Sequence, residues 1–266
     1  MLSSLSSFIL FGNPRLTGPI PSSISNNSGL VELALYSNNF TGTIPPELGK
    51  LSRLRVLYLW DNQLTGTIPA TLSNCTQLRE LDLELNNLSG EVPLALSRLS
   101  KLQTLSLSSN QLVSGSSPTI PILSALINCT VLDSLLIHDN YLTGYLPEQL
   151  PQNLTLLSLY RNNITGIVPS AIANITNLRD LDLSSNLLTG QIPSSLRRLG
   201  NLQRLLLDNN KIQGNIPSEV GEIKSLGKLS VSHNMLSGEI PDTIGGLQQL
   251  THLVLNHFRF WNCTNN

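Results

Sequence analysis

Cysteine, aromatic residues and charge are all scarce in this chain of 266 residues, and each scarcity removes a class of protein. Three cysteines cannot frame a disulfide-stapled fold. Aromatics make up 5% of the residues and charged side chains 12%, about half the charged share of an ordinary globular domain. The formal net charge is -1 and Lys and Arg never cluster, which argues against a nucleic-acid or anionic-membrane surface. No apolar run reaches the roughly 18 residues needed to cross a bilayer. Hydrophobic residues still account for 40% of the chain, so the core must be built from repeated aliphatics.

Those aliphatics recur with a period of 24 residues. The unit reads L-x-x-L-x-L-x-x-N-x-L-[ST]-G-x-[IV]-P-x-x-L-x-x-L-x-x, and its clearest copies begin at Leu30, Leu54, Leu78, Leu154, Leu178, Leu202 and Leu226. The copy at Leu102 is stretched to 30 residues by a Ser/Pro-rich insertion at 114–121, the one at Leu132 is trimmed to 22, and Leu5 opens a copy of 25. Such a period is the signature of a solenoid in which no unit can bury its own apolar face and stacking makes the core. The expected organisation is one elongated domain: about ten repeats over residues 1–249, the long one at 102–131, then a degenerate partial terminal repeat at 250–266.

Within a unit, Leu57 and Leu59 alternate with period two, so they share one side of a short strand and the residues between them face the other. Strands of successive coils should stack as a parallel sheet on the inner curve. The Asn that follows (Asn38, Asn62, Asn86, Asn110, Asn140, Asn162, Asn186, Asn210, Asn234) marks the inward turn, where its amide can bond main-chain groups of its own and the next coil. Gly-x-Ile-Pro punctuates a second bend: the Gly relieves backbone crowding and the Pro fixes φ where no ladder donor is needed. The fold class expected is an α/β-type repeat solenoid, a right-handed superhelix with a parallel β-sheet on the concave face and 3-10 or turn segments on the convex face.

The run Leu64-Thr65-Gly66-Thr67-Ile68-Pro69, repeated along nearly the whole chain, resembles the plant-specific class of leucine-rich repeat found in receptor-like kinases, receptor-like proteins and polygalacturonase-inhibiting proteins. That resemblance implies an extracellular, non-catalytic recognition module: a peptide or protein ligand on the inner face, and a co-receptor at the C-terminal repeats. It implies no cofactor, and any Ser/Thr kinase activity of a longer parent would lie on residues absent here. The alternative it leaves is a soluble inhibitor of a pathogen cell-wall hydrolase. A scaffold or ice-binding role ranks behind both, because the residue between Gly and Ile varies among Pro, Thr, Glu, Gln and Asn and so breaks the Thr ladder that ice binding would want. No paired-Arg motif lies in the strand columns, and the insertion after Asn110 is too short to resemble the island domain of steroid receptors.

Met1 falls inside the tail of a preceding coil and Phe258 occupies the slot of the turn Asn, so the reading expects a segment of a longer protein or a truncated gene product, whose isolated ends expose apolar core and associate. Phe8 to Phe11 lacks a basic flank and a cleavage site, and strand is the expectation there rather than signal peptide. Cys75 and Cys129 occupy a position held elsewhere by Leu51, Leu99 and Leu199. Their coils are two strand steps apart, about 10 Å, too far for a bridge, so both should be free. Cys263 has no obvious partner. Nine N-x-[ST] sequons, at Asn26, Asn39, Asn74, Asn87, Asn128, Asn153, Asn163, Asn174 and Asn262, all avoid the strand columns and would leave the inner face clear of glycans.

Outward-pointing strand positions are the surface the repeat leaves free to vary, and candidate ligand contacts are read there. Phe11, Tyr36, Tyr58 and Trp60 form an aromatic column, the residue type that anchors partners best. Asp61, Glu80, Asp82 and Glu84 follow as an acidic patch edged by Arg55 and Arg79, and farther along lie His138, Asp139, Tyr160, Arg161, Asp180, Asp182 and Arg204. An aromatic strip passing into an acid-rich band suits an extended peptide or a loop with a basic residue. There is no nucleophile elbow, phosphate-binding Gly loop or kinase motif, so no enzyme is expected. His233, His252 and His257 are expected to face solvent rather than hold a metal, since neither Cys nor carboxylate supports them.

Overall fold

The computed structural model describes residues 5–256. Eleven short strands from successive coils form one parallel sheet in strict chain order. Most strands are three residues long, as in Val56–Tyr58, Glu80–Asp82 and Thr104–Ser106, and equivalent positions pair across coils: Leu57 faces Leu81, which faces Leu105. The middle residue of the nine inner strands (Leu33, Leu57, Leu81, Leu105, Leu135, Leu157, Leu181, Leu205, Leu229) points into the coil and is fully buried. With the leucines before and after it, this residue makes a continuous aliphatic core that runs the length of the solenoid. The expected handover of burial from coil to coil is therefore present, in the plain form of one apolar column per repeat position.

The turn asparagines form a second continuous column. Asn62 donates through Nδ2 to the carbonyls of Leu59 and Trp60 in its own coil, at 3.1 and 3.2 Å, and to Leu35 of the preceding coil at 2.9 Å. Its Oδ1 accepts from the Phe40 N–H at 3.0 Å. Each amide thus reaches back to the previous coil, where the sequence reading had it reaching to the next. The cause is the residue just before it, which is left-handed in nine coils with φ between 51° and 55° (Ser37, Asp61, Leu85, Ser109, Asp139, Arg161, Ser185, Asn209, His233). That conformation turns the chain sharply off the strand and delivers the amide beneath its predecessor.

The [ST]-G-x-[IV]-P segment does more than bend. Its residues form a second, interrupted set of short parallel strands: Thr65–Gly66, Asn87–Glu91 and Gln111–Val113 in one group, with pairs such as Thr143–Tyr145 and Asn163–Thr165 farther along. Here the register slips by two repeat positions per coil, so that Thr65 pairs with Asn87 and Tyr145 with Thr165. The slip lays each coil's residue between Gly and Ile across the Gly of the next. A Cβ on Gly166 would sit 2.6 Å from Cδ1 of the Tyr145 ring, and its φ is +79°. We expect Gly166→Ala to cost about 2–3 kcal/mol, from left-handed strain plus steric overlap, and Tyr145→Ala in the same chain to return only the overlap, leaving about 1 kcal/mol. Urea denaturation of the two variants measures both.

On the convex side a Pro in extended conformation, such as Pro45 (φ -63°, ψ 123°), leads into one turn of 3-10 helix, Pro46–Lys50 in that coil, and the turn buries Leu48. Ala70–Asn74, Leu94–Arg98, Ser170–Asn174, Ser194–Arg198 and Ser218–Glu222 repeat the arrangement. The insertion at 114–121 changes it once: an α-helical turn, Pro121–Ala125, precedes the 3-10 segment Leu126–Asn128. Cys75 and Cys129 are both buried and free. Burial pushes the Cys75 thiol up to about 11, consistent with a packing rather than a reactive role.

Candidate functional site

The concave face is the outward side of the eleven-stranded sheet, and the candidate residues fall into four parallel columns along it. Glu80, Asp180 and Arg204 lie on the first residue of their strands, and Tyr58, Asp82 and Asp182 on the last. Phe11, Tyr36, Trp60, Glu84, His138 and Tyr160 form the next column, two residues beyond the strands. Asp61, Asp139 and Arg161 are the left-handed residues at the rim.

The aromatic residues are in contact as one body. Phe11 stacks on Tyr36 with centroids 4.9 Å apart, and Tyr36 stacks on Trp60 at 4.6 Å, the planes within 13° and 9° of parallel. Tyr58 meets Tyr36 edge-on at 6.4 Å. Stacking along the solenoid axis occupies both faces of Tyr36, so ring edges meet the groove. Phe11 is 55% exposed and Trp60 half-buried. The Tyr58 hydroxyl donates to Glu80, which ties the aromatic block to the acidic coil that follows. Burial first, and this hydrogen bond second, raise the Tyr58 phenol.

Glu80, Asp82 and Glu84 are three carboxylates on one coil. Asp82 Oδ1 accepts from the Glu84 N–H at 3.0 Å, and Glu84 Oε2 accepts from the Ser106 hydroxyl at 3.1 Å. Burial, opposed by that Glu84 N–H and aided by the Glu84 charge, pushes the Asp82 carboxyl up to about 6. The folded state therefore holds this proton more tightly than the unfolded chain, whose carboxyl titrates near 3.9. Its contribution to stability is greatest below about pH 4 and is lost as pH rises through 6. We expect Asp82→Asn, which keeps the acceptor, to raise Tm by about 2–4 °C at pH 7.5 and to leave it unchanged at pH 4, read by scanning calorimetry.

Beyond the acids the floor is small and polar (Thr104, Ser106, Ser108, Ser134), and then His138 stacks on Tyr160 with centroids 4.2 Å apart. His138 is only 9% exposed, held by the hydroxyls of Ser108 and Ser158 at 2.8 and 3.2 Å from Nδ1. Burial lowers its pKa against the opposing pull of Glu84. Sequence reading picked out His138 but not Ser108 or Ser158, whose only signal was membership of neighbouring columns. Asp139 pairs with Arg161 at 3.1 Å and Asp180 with Arg204 at 2.8 Å, so two of the candidate acids are already neutralised. The Asp180 oxygen facing Arg204 is buried without a hydrogen bond, so that pair is a contact of charges off the N–H axis. Asp182 takes the Ser184 hydroxyl and N–H, and burial raises its pKa. The candidates thus form a contiguous block from Phe11 to Glu84, a second around His138 and Tyr160, and a third of partly paired charges.

Among the described residues no sequon falls on this face. Asn26, Asn74, Asn128 and Asn174 close 3-10 turns on the convex side. Asn39, Asn87 and Asn163 lie on the flank formed by the second set of strands, and Asn153 bonds the Thr130 carbonyl. Asn262, Cys263, His257 and Phe258 lie outside the described residues. Among the described residues no group of three metal-ligating side chains converges, and no helix is long and apolar enough to cross a membrane.

Family models for the leucine-rich repeat match residues 52–112, 130–188 and 152–212, and a second such model matches 29–51, 101–125 and 225–247. Among solved structures the chain is similar to a plant peptide hormone receptor, RGFR1, in complex with RGF2: 36% identity over 97% of this chain and 41% of that one, TM-score 0.91. It is similar to the leucine-rich-repeat ectodomain of the Arabidopsis receptor kinase HAESA with an N-terminally extended IDA peptide: 33% identity, 97% of this chain and 47% of that one, TM-score 0.85. A plant ice-binding protein also matches, at 28% identity over 93% of this chain and 80% of that one, TM-score 0.77. The chain spans less than half the length of either receptor. None of the curated proteins compared by sequence matches it.

Proposed function

This chain belongs to the leucine-rich-repeat family, and from that premise we propose that it is a non-catalytic recognition module whose concave face captures an extended peptide or a protein loop, in the manner of plant receptor ectodomains. The observation that carries the reading is the aromatic block Phe11, Tyr36, Tyr58 and Trp60, joined through the Tyr58–Glu80 bond to three carboxylates. Aromatic side chains locked by stacking lose little freedom on binding, which is what makes them anchors. Glu80 and Asp82 beside them suit a Lys or Arg of the same ligand. The placement of the sequons supports an extracellular setting with glycans on the convex and flanking surfaces. The coils from Leu178 to Asn256 carry no sequon, which leaves room for a co-receptor there.

The test is a pull-down of secreted plant peptides on the immobilised protein, with fungal pectinases as the competing arm, followed by Kd measurements. Tyr58→Ala and Trp60→Ala should each weaken the captured peptide at least about 30-fold while Tm stays within a few degrees. Unchanged affinity in both variants would remove the concave assignment, and capture of a pectinase in place of a peptide would favour the inhibitor reading.

A further inference from the structure

We propose that the gap between Glu84 and His138 is a subsite for one hydroxyl oxygen of the ligand, which accepts a hydrogen bond from His138 Nε2–H and donates one to Glu84 Oε1. The proposal rests on the concave-face reading above and names the chemistry of one part of that ligand.

Glu84, Ser108 and His138 are consecutive members of one column, so the carboxylate and the imidazole face each other across the small side chain between them. Three sides of His138 are fixed: Nδ1 by the Ser108 and Ser158 hydroxyls, the ring face by Tyr160, and the whole residue by burial. Its remaining nitrogen, Nε2, lies 4.0 Å from Glu84 Oε1, beyond hydrogen-bond reach. Glu84 is fixed in turn, because its other oxygen takes the Ser106 hydroxyl at 3.1 Å. A nitrogen of a largely buried imidazole and a carboxylate oxygen therefore sit across a gap too wide for a direct hydrogen bond.

The protonation pattern selects what fits. A carboxylate opposite Nε2 favours the tautomer with its proton on that nitrogen, and Nδ1 is then an acceptor for Ser108. Burial keeps the ring neutral against the negative groups around it: Glu84 across the gap, Asp139 beside it and Asp182 from a later coil. The gap thus presents one donor and one acceptor. An ammonium would set its hydrogens against the Nε2–H, and a carboxylate would be repelled by Glu84. A hydroxyl satisfies both. An oxygen about 2.8 Å from each atom subtends an angle of about 90° across the gap, within the range a hydroxyl tolerates.

Position adds a pattern. The gap lies over the coil of Ser108, two strand steps from Trp60, or about 10 Å. One turn of polyproline II advances about 9 Å in three residues and returns the side chain to the same face. The ligand expected is an extended peptide with an apolar residue on the aromatic block and a hydroxyl-bearing residue three positions away.

A random dodecapeptide display library panned on the intact chain tests this. Clones that lose binding to Trp60→Ala define concave-face ligands, and they should carry Ser or Thr three positions from an apolar residue. Replacing that Ser or Thr by Ala in the synthetic peptide should weaken binding at least 10-fold on the wild type and less than 2-fold on Glu84→Ala, whose substituted side chain is part-exposed and leaves the fold intact. Nitrogen-15 shifts of His138 in the free protein should report the Nε2–H tautomer. If no Trp60-dependent clone is enriched, the subsite fails together with the reading beneath it. If Trp60-dependent peptides lose equally on wild type and Glu84→Ala, or the tautomer is Nδ1–H, the subsite alone is overturned.

Discussion

Replacing Asn110 by Ala is expected to lower the free energy of unfolding by about 3–5 kcal/mol, measured by urea denaturation, although it removes no apolar contact of note. Asn110 Nδ2 donates to Leu83 of the preceding coil at 3.0 Å and to Leu107 and Ser108 of its own at 3.1 and 3.0 Å. Its Oδ1 accepts from the Leu88 N–H at 2.9 Å. All four main-chain groups lie at a buried turn where water cannot replace the lost partner, and an orphaned buried group costs about 1–3 kcal/mol. Asn110→Asp should be at least as damaging, because a carboxylate only accepts and would face three carbonyls. The same change at Asn234, which is less buried, should cost visibly less. Equal losses at the two sites would mean that the amide bonds do not carry the effect.

Leu135→Ala is expected to cost a further-reaching 3–5 kcal/mol, in the range of large-to-small changes at fully buried positions, on the order of that for other Leu→Ala substitutions. Leu135 is fully buried at the centre of the array and pairs with Leu105 on one side and Leu157 on the other. Stability in such an array is a sum of coil terms and nearest-neighbour interfaces. A weak coil in the middle therefore divides the chain into two blocks that can unfold separately, and the urea transition should broaden or split with a fall in apparent m. Leu229→Ala removes the same atoms near one end and should lower the midpoint while leaving a single transition. A single sharp transition with unchanged m in Leu135→Ala would contradict the nearest-neighbour account.

Those two residues also mark how far the sequence could be read. Leu135 and Asn110 were legible because period and spacing place each repeat position on a fixed side of the coil. The second set of strands was not, since Thr65–Gly66 is two residues long and contains no alternation to read. Its two-position slip depends on how adjacent coils settle against each other, which no single unit encodes. On the concave face the aromatic column was legible as a column, but not the parallel stacking that turns ring edges toward the groove. His138 read as an exposed contact and is buried, because the Ser108 and Ser158 hydroxyls that hold it come from positions 30 and 20 residues away. Asp139 and Asp180 read only as members of the face, and their pairing with Arg161 and Arg204 was not legible for the same reason.

The left-handed residue before each turn Asn has an evolutionary consequence. Ser37, Asp61, Leu85, Ser109, Asp139, Arg161, Ser185, Asn209 and His233 adopt it with nearly identical φ. The strain, about 1 kcal/mol or more for a residue other than glycine, is similar among unbranched side chains and larger for β-branched ones, none of which occurs at these nine positions. Exchange among unbranched residues at this rim position is therefore close to neutral for folding while it changes the charge and size bordering the groove. Duplicated copies of such a gene can diverge there first, testing new border chemistry on an unchanged scaffold.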